Sequence, residues 1–112
     1  MAVTVNFASG TQAATLDVEH TLGTDPDTTD GVFQLFVDVN DMARADRTVL
    51  RVYEKVLSAG TQRLVATWVL TNEQIDKIFA SPSLILGNGF KFTLEQTDGT
   101  GRSYPWRISQ VS

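Results

Sequence analysis

Residues 50–70 read LRVYEKVLSAGTQRLVATWVL, and this stretch decides the fold. In its first half, Leu50, Val52 and Val56 alternate with charged and polar residues, which is the period of two that marks a half-buried strand. In its second half apolar residues alternate again, and valines also occupy the other face, so we expect this strand to be covered on both sides. The stretch therefore predicts a β-hairpin.

Turn chemistry predicts the register of this hairpin. Directly opposed residues of an antiparallel pair point to the same face of the sheet. We predict a three-residue loop, 58–60, with Gly60 in the left-handed conformation that glycine adopts without steric cost. This loop places Leu50 opposite Trp68, so that apolar residues oppose each other. A two-residue loop at 59–60 would instead oppose apolar and polar residues along the whole ladder.

Further alternating segments predict the other strands. Their boundaries, in chain order, are 2–7, 12–20, 32–39, 84–86, 90–96 and 102–111. Turn signals separate them, among them Ala8-Ser9-Gly10 and the polar connection 40–47. The segment TLGTDPDTTDG at 21–31 predicts a mobile surface loop. Pro105 cannot donate to a β-ladder, so it favours an edge position or a bulge.

One segment has a helical pattern. Thr71 and Gln74 have the spacing of a capping box. The apolar face of this segment comprises Ile75, Ile78 and Phe79. We therefore predict one short helix near 72–80, ended by Ser81-Pro82.

Seven to eight short strands, with turn signals at intervals of roughly 8–12 residues, are typical of an antiparallel sandwich or barrel. A length of 112 residues suits one core. We therefore predict an all-β fold in which residues 1–112 form a single-domain antiparallel β-sandwich, jelly-roll or Ig-like, with one short helix. The predicted core is centred on Phe33, Val52, Trp68, Phe92 and Trp106.

Composition and charge narrow the functional classes. Hydrophobic residues make up 42% and charged residues 20% of the chain, as in ordinary globular domains. The absence of cysteine excludes disulfides and thiolate catalysis. The net charge is −4 and the basic residues are scattered, so we expect no nucleic-acid binding. Residues 1–20 lack a signal-peptide pattern, and no apolar run approaches the roughly 20 residues that span a bilayer, so we expect no membrane contact.

The sequence offers little catalytic chemistry. His20, the one histidine, follows Glu19 at a predicted strand end, and we expect it to be exposed. The GxSxG and HExxH motifs are absent. The segment Gly99-Thr100-Gly101-Arg102 has the glycines and the basic residue of a phosphate-binding loop. A phosphate-binding loop lies between a strand and a helix, whereas strands are predicted on both sides here, which predicts a hairpin turn. We assign no catalytic residue, no cofactor and no metal ligand, and we predict a protein that is not an enzyme.

Two acidic groups raise the question of ion binding. Asp25, Asp27 and Asp30 lie close together in sequence, and calcium prefers several carboxylate oxygens at close quarters. Their spacing differs from that of an EF-hand, which favours a solvated turn and leaves ion binding open. The second group comprises Asp38, Asn40, Asp41 and Asp46, and its pattern is weaker still.

Aromatic residues could line a sugar-binding face, because aromatic rings stack on pyranose rings. The candidates are Tyr53, Trp68, Tyr104 and Trp106. Both tryptophans are in phase with aliphatic neighbours, which favours a core position. Tyr53 is out of phase with Leu50 and is the better surface candidate. Glu54 is in phase with the apolar face, and we expect it at the sheet rim or paired with an arginine.

Two segments resemble a known group of proteins. They are VLRVYEKVLSAGTQRLV at 49–65 and FTLEQTDGTGRSYPWRI at 92–108. Both are similar to segments of small proteins encoded among the structural genes of tailed bacteriophages. Small acidic β-proteins of such families act as capsid decoration (cement) proteins, or as head–tail and tail-tube components.

This resemblance implies a non-enzymatic virion protein, made in the host cytoplasm, that binds the capsid lattice as a homo-oligomer. The implied partner is a major capsid or tail protein, and a head–tail connector or tail component is the alternative role. A cyclic trimer is the first expectation, since icosahedral lattices have three-fold positions. The first strand and the 21–31 loop are the expected contact elements. A carbohydrate-binding module is the competing hypothesis from the aromatic residues.

Overall fold

The computed structural model describes residues 2–112, and these residues form nine strands and no helix. The strands are β1 (Val3–Ala13), β2 (Glu19–Asp27), β3 (Gly31–Asp38), β4 (Arg47–Glu54), β5 (Arg63–Thr71), β6 (Ile78–Ala80), β7 (Leu84–Leu86), β8 (Phe90–Asp98) and β9 (Ser103–Val111). The all-β prediction is therefore confirmed, with nine strands in place of the seven to eight expected.

The strands form two antiparallel sheets. The first sheet has the order β1-β9-β3-β6, and β7 also pairs with β3. The second sheet has the order β2-β8-β4-β5. Most sequence neighbours therefore lie in different sheets, and the chain repeatedly crosses between the layers. The two sheets pack face to face, as in a β-sandwich.

The core lies between the inner faces of the two sheets. Phe33 of the first sheet packs against Phe90 of the second, with ring centroids 4.6 Å apart. Of the five predicted core residues, Phe33, Val52 and Phe92 are fully buried. Trp68 and Trp106 are partly buried and pack against the margin of the core. The alternation of apolar residues in β3 and β8 is thus explained by one face that enters the core.

The central hairpin has the predicted register. Leu50 is paired with Trp68, and Val52 with Ala66. Both β4 residues are fully buried, so a slip of one residue would bring the charged face of β4 into the core. The demand for apolar burial therefore selects the register that the alternation predicts.

The connection within this hairpin is longer than predicted. A register shift follows Val52, and pairing ends at Glu54 and Arg63. The loop therefore spans 55–62, and Gly60 does not adopt a positive φ. Val56, predicted to face the core, lies in this loop and is 90% exposed. The bulge uses one extra residue of β5 and ends the ladder before the short turn can form.

The prediction of a short helix near 72–80 is wrong. Its last three residues form β6, which extends the first sheet beside β3. Asn72 has φ 64°, which is incompatible with a right-handed helix. The Gln74 side chain donates to the carbonyl of Thr71 across 2.8 Å. In a capping box this side chain would instead accept the backbone N–H of Thr71. Ile75 projects into solvent.

The boundaries of the first two strands also differ from the prediction. The prediction of a turn at 8–10 is wrong, because these residues lie inside β1 and pair without interruption with residues 106–108 of β9. The predicted strand at 12–20 is interrupted, because residues 14–18 connect β1 to β2. Asp17 in this connection has φ 63°, which turns the chain from the first sheet to the second.

The segment 21–31, predicted to be a mobile loop, belongs largely to β2. Leu22 is buried in the core and anchors this strand. The ladder with β8 runs from Glu19 to Leu22 and resumes at Asp27 after an irregularity. A single buried leucine and the ladder thus outweigh the polar composition of the segment.

Two further expectations concern strand faces. Val65 and Val69 on the outer face of β5 are about half exposed, so the prediction that this strand is covered on both sides is wrong. Pro105 pairs with Thr11 of β1, while the ladder with β3 ends one residue later, at Trp106. Pro105 therefore lies where β9 has a partner on one side only, as predicted for a residue without an N–H.

Candidate functional site

The outer face of the first sheet carries an exposed row of apolar side chains across four strands. The ladders place Val3 opposite Val111, Val111 opposite Val32, and Val32 opposite Ile85. Directly opposed residues share a face, so the four side chains lie side by side. Val3 is 65% exposed and Ile85 is 85% exposed. We refer to these four residues as the apolar row.

Farther along the same face lies a shallow depression of about 240 Å³. Phe36, Ile78 and Pro105 contribute apolar surface to it. The guanidinium of Arg107 lies 4.0 Å from the centroid of the Phe36 ring and covers it. The outer face of the first sheet therefore carries apolar side chains at the apolar row and in the depression, with polar residues such as Gln34 and Ser109 between them.

The outer face of the second sheet carries a central cluster of polar side chains that bond one another, and exposed valines of β5 lie at its margin. The hydroxyls of Tyr53 and Thr93 both donate to Oε2 of Glu19, each across 2.6 Å. Nη1 of Arg51 lies 3.5 Å from that oxygen and 2.8 Å from Oε1 of Glu95. One arginine thus bridges two carboxylates in the middle of the sheet.

These contacts fix the protonation states of the cluster. Burial alone would raise the pKa of Glu19. Hydrogen bonds from Thr93 and Tyr53, together with neighbouring cations, outweigh burial and lower this pKa below its ordinary value. Burial and the hydrogen bond to Glu19 raise the pKa of Tyr53. Glu19 is therefore an ionised acceptor and Tyr53 a neutral donor, which suits a structural network.

Three long strands, β1, β2 and β5, present unpaired edges, and β2 is protected by acidic residues and a proline. Within residues 2–112, β1 pairs only with β9 and β5 pairs only with β4. Natural edge strands are usually protected by charged residues, proline or bulges. The eleven residues of β1 include no charged residue and no proline, and its ladder is regular from Ala8 onward, after a shift that follows Thr4. β5 carries one charge, at Arg63. The edges of β1 and β5 could therefore pair with a strand of another chain.

The turn at 99–102 holds an internal carboxylate. Asp46 is 1% exposed, and its carboxylate accepts hydrogen bonds from Nε of Arg102 at 2.8 Å and from the N–H of Thr100 at 3.2 Å. Gly99 has φ 87°, and a side chain there would collide with Asp46. The prediction of a hairpin turn is wrong, because β8 and β9 lie in different sheets and the turn carries the chain from one layer to the other. Its inner side is filled by the protein itself.

Both acidic groups are separated by the fold. Asp25 pairs with Lys91 at 3.4 Å, and Asp27 accepts the N–H of Thr29. Asp38 accepts the N–H of Asn40. Within residues 2–112, no three histidine or acidic side chains lie close enough together to hold a metal ion.

Other predicted candidates have structural roles. Nε2 of His20 accepts the N–H of Thr15 across 3.1 Å, in the connection between β1 and β2. Glu54 lies at the sheet rim, as predicted, but it bonds no arginine. Its Oε2 accepts the N–H groups of Gly87 at 2.6 Å and Asn88 at 3.0 Å. It thereby holds the turn between β7 and β8.

The aromatic candidates do not form one platform. Tyr104 is fully buried, and its hydroxyl bonds Thr48 and Gln96 in the core. Tyr53 is at the surface, as predicted, but Nζ of Lys91 lies 4.9 Å from its ring centroid. The two tryptophans lie in different sheets, with Trp68 against Phe79 at a ring separation of 5.6 Å. These rings therefore lie in separate environments.

The apolar row was missed at the level of sequence. A weak signal was present, because Val32 stands out of phase with the core residues of β3. The other three members lie in strands whose pairing the sequence could not supply. No helix within residues 2–112 has the length and apolarity needed to cross a bilayer. Comparison of the chain with protein-family models, curated proteins and solved structures finds no match.

Proposed function

We propose that this chain is a non-enzymatic virion protein of a tailed bacteriophage, and that it decorates the capsid lattice as a homo-oligomer. The observation that carries the proposal is the apolar row on the outer face of the first sheet. Exposed apolar residues scattered singly are ordinary, whereas a contiguous row across four strands is typical of a contact surface. The polar network on the opposite face suits contact with solvent.

The unpaired edges of β1 and β5 support the same role. An uncharged edge strand can extend its sheet with a strand of a neighbouring chain. A capsid lattice offers one binding site many times, so modest contacts add up through multivalency. The proposed partners are other copies of this chain and a major capsid protein. A position at the head–tail joint or in the tail uses the same surfaces and is the alternative.

We also propose that the sandwich is of the jelly-roll type. In support, strands one, nine, three and six share one sheet, while two, eight, four and five share the other. This interleaving is what two nested Greek keys produce, with β7 as an addition beside β3. Jelly rolls occur in viral capsid proteins and in lectins, which agrees with the proposed role by analogy of fold alone.

Purified particles of the phage that encodes the chain provide the test. We expect mass spectrometry to detect the protein in fixed proportion to the major capsid protein. We expect Val3→Lys, at the β1 end of the apolar row, to reduce incorporation by placing a charge in the contact. Thr67→Lys adds the same charge at an exposed position of the second sheet and is the control. Absence of the protein from particles, or equal incorporation of both variants, would overturn the proposal.

A carbohydrate-binding module is the second candidate. The depression on the outer face of the first sheet favours it, because the Phe36 ring there adjoins the polar residues Asn6 and Ser9. The hypothesis predicts that glycans change the tryptophan fluorescence of the protein on titration. A flat response across a glycan panel would remove it.

A further inference from the structure

The loop between β4 and β5 carries two neighbouring exposed apolar residues. Val56 is 90% exposed and Leu57 is 71% exposed. The loop is nevertheless held in place, because Asn88 donates to the carbonyl of Val56 across 3.0 Å and Gly60 donates to that of Leu57 across 2.8 Å. We refer to Val56 and Leu57 as the knob. A fixed apolar knob loses little conformational entropy on binding.

A groove of about 460 Å³ lies beside β7, at one end of the apolar row. Val32, Ile85 and Val111 of the row line it, and Asp30 and Glu54 add carboxylates. The groove is therefore apolar along the row and acidic at its margin. A complementary ligand would present apolar side chains next to a basic group.

The knob has this chemistry. Lys55 precedes it, and Arg63, the first residue of β5 after the loop, is exposed. The chain as a whole has a net charge of −4, which opposes close approach of two copies. A contact between this loop and the groove instead brings a basic and an acidic surface together.

The knob does not occupy the groove of its own chain, because both knob side chains are exposed in the single chain. Knob and groove nevertheless lie at the same end of the sandwich. Glu54 bonds the backbone of Gly87 and Asn88 in the groove wall, and Asn88 also bonds the loop. Two or more copies that meet at this end can therefore exchange knobs.

We propose that the knob of one copy binds the groove beside β7 of a second copy, and that this contact builds the homo-oligomer. The inference rests on the contact role proposed for the apolar row, and it gives self-association a specific pair of surfaces. Two copies can exchange knobs reciprocally, or three can close a ring. The β1 end of the row and the β1 edge are then left for the lattice.

Sedimentation velocity of the full chain over a wide concentration range tests the proposal. We expect the wild type to form a dimer or trimer. The double variant V56S/L57S removes the knob, and I85K places a charge in the groove. Each is expected to weaken self-association by about thirtyfold or more, the scale of a central contact residue. I75S removes another exposed apolar side chain, in the connection between β5 and β6, and is expected to leave association unchanged.

Mixing the two variants gives the decisive measurement. V56S/L57S retains a groove and I85K retains a knob, so the mixture can form one intact contact. We expect a one-to-one complex in the mixture, although neither variant associates alone. Circular dichroism should show that both variants are folded, because the replaced side chains are exposed.

Oligomers that persist in V56S/L57S, or a mixture that stays monomeric, would overturn the proposal. A monomeric wild type would overturn it as well. Each of these results leaves the presence of the protein in phage particles to be decided by mass spectrometry, so failure of this contact is distinguishable from failure of the proposed function.

Discussion

Nε of Arg102 donates to Oδ2 of Asp46 across 2.8 Å and joins the turn between β8 and β9 to the loop between β3 and β4. The Asp46 side chain is 1% exposed and that of Arg102 is 29% exposed. The same carboxylate accepts the N–H groups of Ala43 and Thr100. One buried charge therefore organises two connections at this end of the sandwich.

Replacement of Asp46 by asparagine should destabilise the fold. The variant D46N keeps the shape of the side chain but leaves the Arg102 guanidinium without its anion. We expect the free energy of unfolding to fall by about 2–4 kcal/mol, since removal of one partner of a buried pair is costly. Urea denaturation measures it. Asp41→Asn changes an exposed aspartate and should stay within about 0.5 kcal/mol of the wild type.

The contribution of Asp46 should depend on pH. Burial alone would raise the pKa of Asp46, but hydrogen bonds from Arg102, Ala43 and Thr100 outweigh it and lower this pKa in the folded protein. The unfolded chain therefore binds more protons in acid. The stabilisation is complete above the unfolded pKa of about 4, and it is lost as the pH falls through the folded pKa.

The measurement is urea denaturation of wild type and D46N at a series of pH values from neutral to acidic. We expect the difference between the two proteins to shrink as the medium becomes acidic. A difference that stays constant, or that grows in acid, would contradict the assignment of Asp46 as an ionised buried group.

Gly99→Ala should be poorly tolerated. Gly99 has φ 87°, and a Cβ atom there would lie 2.9 Å from Cα of Asp46. Backbone strain and the collision should together lower the free energy of unfolding by about 2 kcal/mol or more. Gly10→Ala is the control, because the nearest atoms, in the Trp106 side chain, lie 3.4 Å away. Thermal unfolding measures the stability of both variants. An equal loss of stability in Gly99→Ala and Gly10→Ala would contradict a constrained turn at Gly99.

Tyr104→Phe should expose the energetic role of a buried hydroxyl. The Tyr104 oxygen lies 2.8 Å from Oγ1 of Thr48 and donates to Oε1 of Gln96 across 2.9 Å. Removal of the hydroxyl leaves Thr48 and Gln96 buried without their hydrogen bonds to it. This loss should lower the free energy of unfolding by about 1–3 kcal/mol. Tyr53→Phe removes a more exposed hydroxyl and should have a smaller effect. Equal effects in denaturation experiments would argue against the core network.

The register of the central hairpin was predictable because it depends on burial along one face. Leu50 and Trp68 lie in phase with their apolar neighbours, and one pairing brings those residues together. The loop length was not predictable, because it depends on a bulge after Val52. Nothing in the local sequence distinguishes a bulged end from a tight turn.

The false helix shows a limit of local pattern. Thr71 and Gln74 have capping-box spacing, and three apolar residues follow at helical intervals. In the fold, Phe79 packs against Trp68 and its strand extends the first sheet. Pairing with β3, which is distant in sequence, therefore determines the conformation of residues 78–80, although their local pattern indicated a helix.

The candidate surface was the least predictable feature. The members of the apolar row lie far apart in the chain, and each is one valine or isoleucine in an unremarkable strand. Only the ladders of β9 with β1 and β3, and of β3 with β7, bring them together. The prediction of a mobile loop at 21–31 failed for the complementary reason, since the polar composition of the segment concealed the buried Leu22.

The two outer faces differ in character, and the molecule measures 40 × 29 × 19 Å. A thin slab with an exposed apolar row on one side and an ion-pair network on the other has two distinguishable faces. If it coats a shell through the first sheet, every copy lies the same way up and Glu19, Arg51 and Glu95 point outward. The coat would then replace the charge pattern of the underlying shell with its own, and the electrophoretic mobility of coated and bare particles should differ.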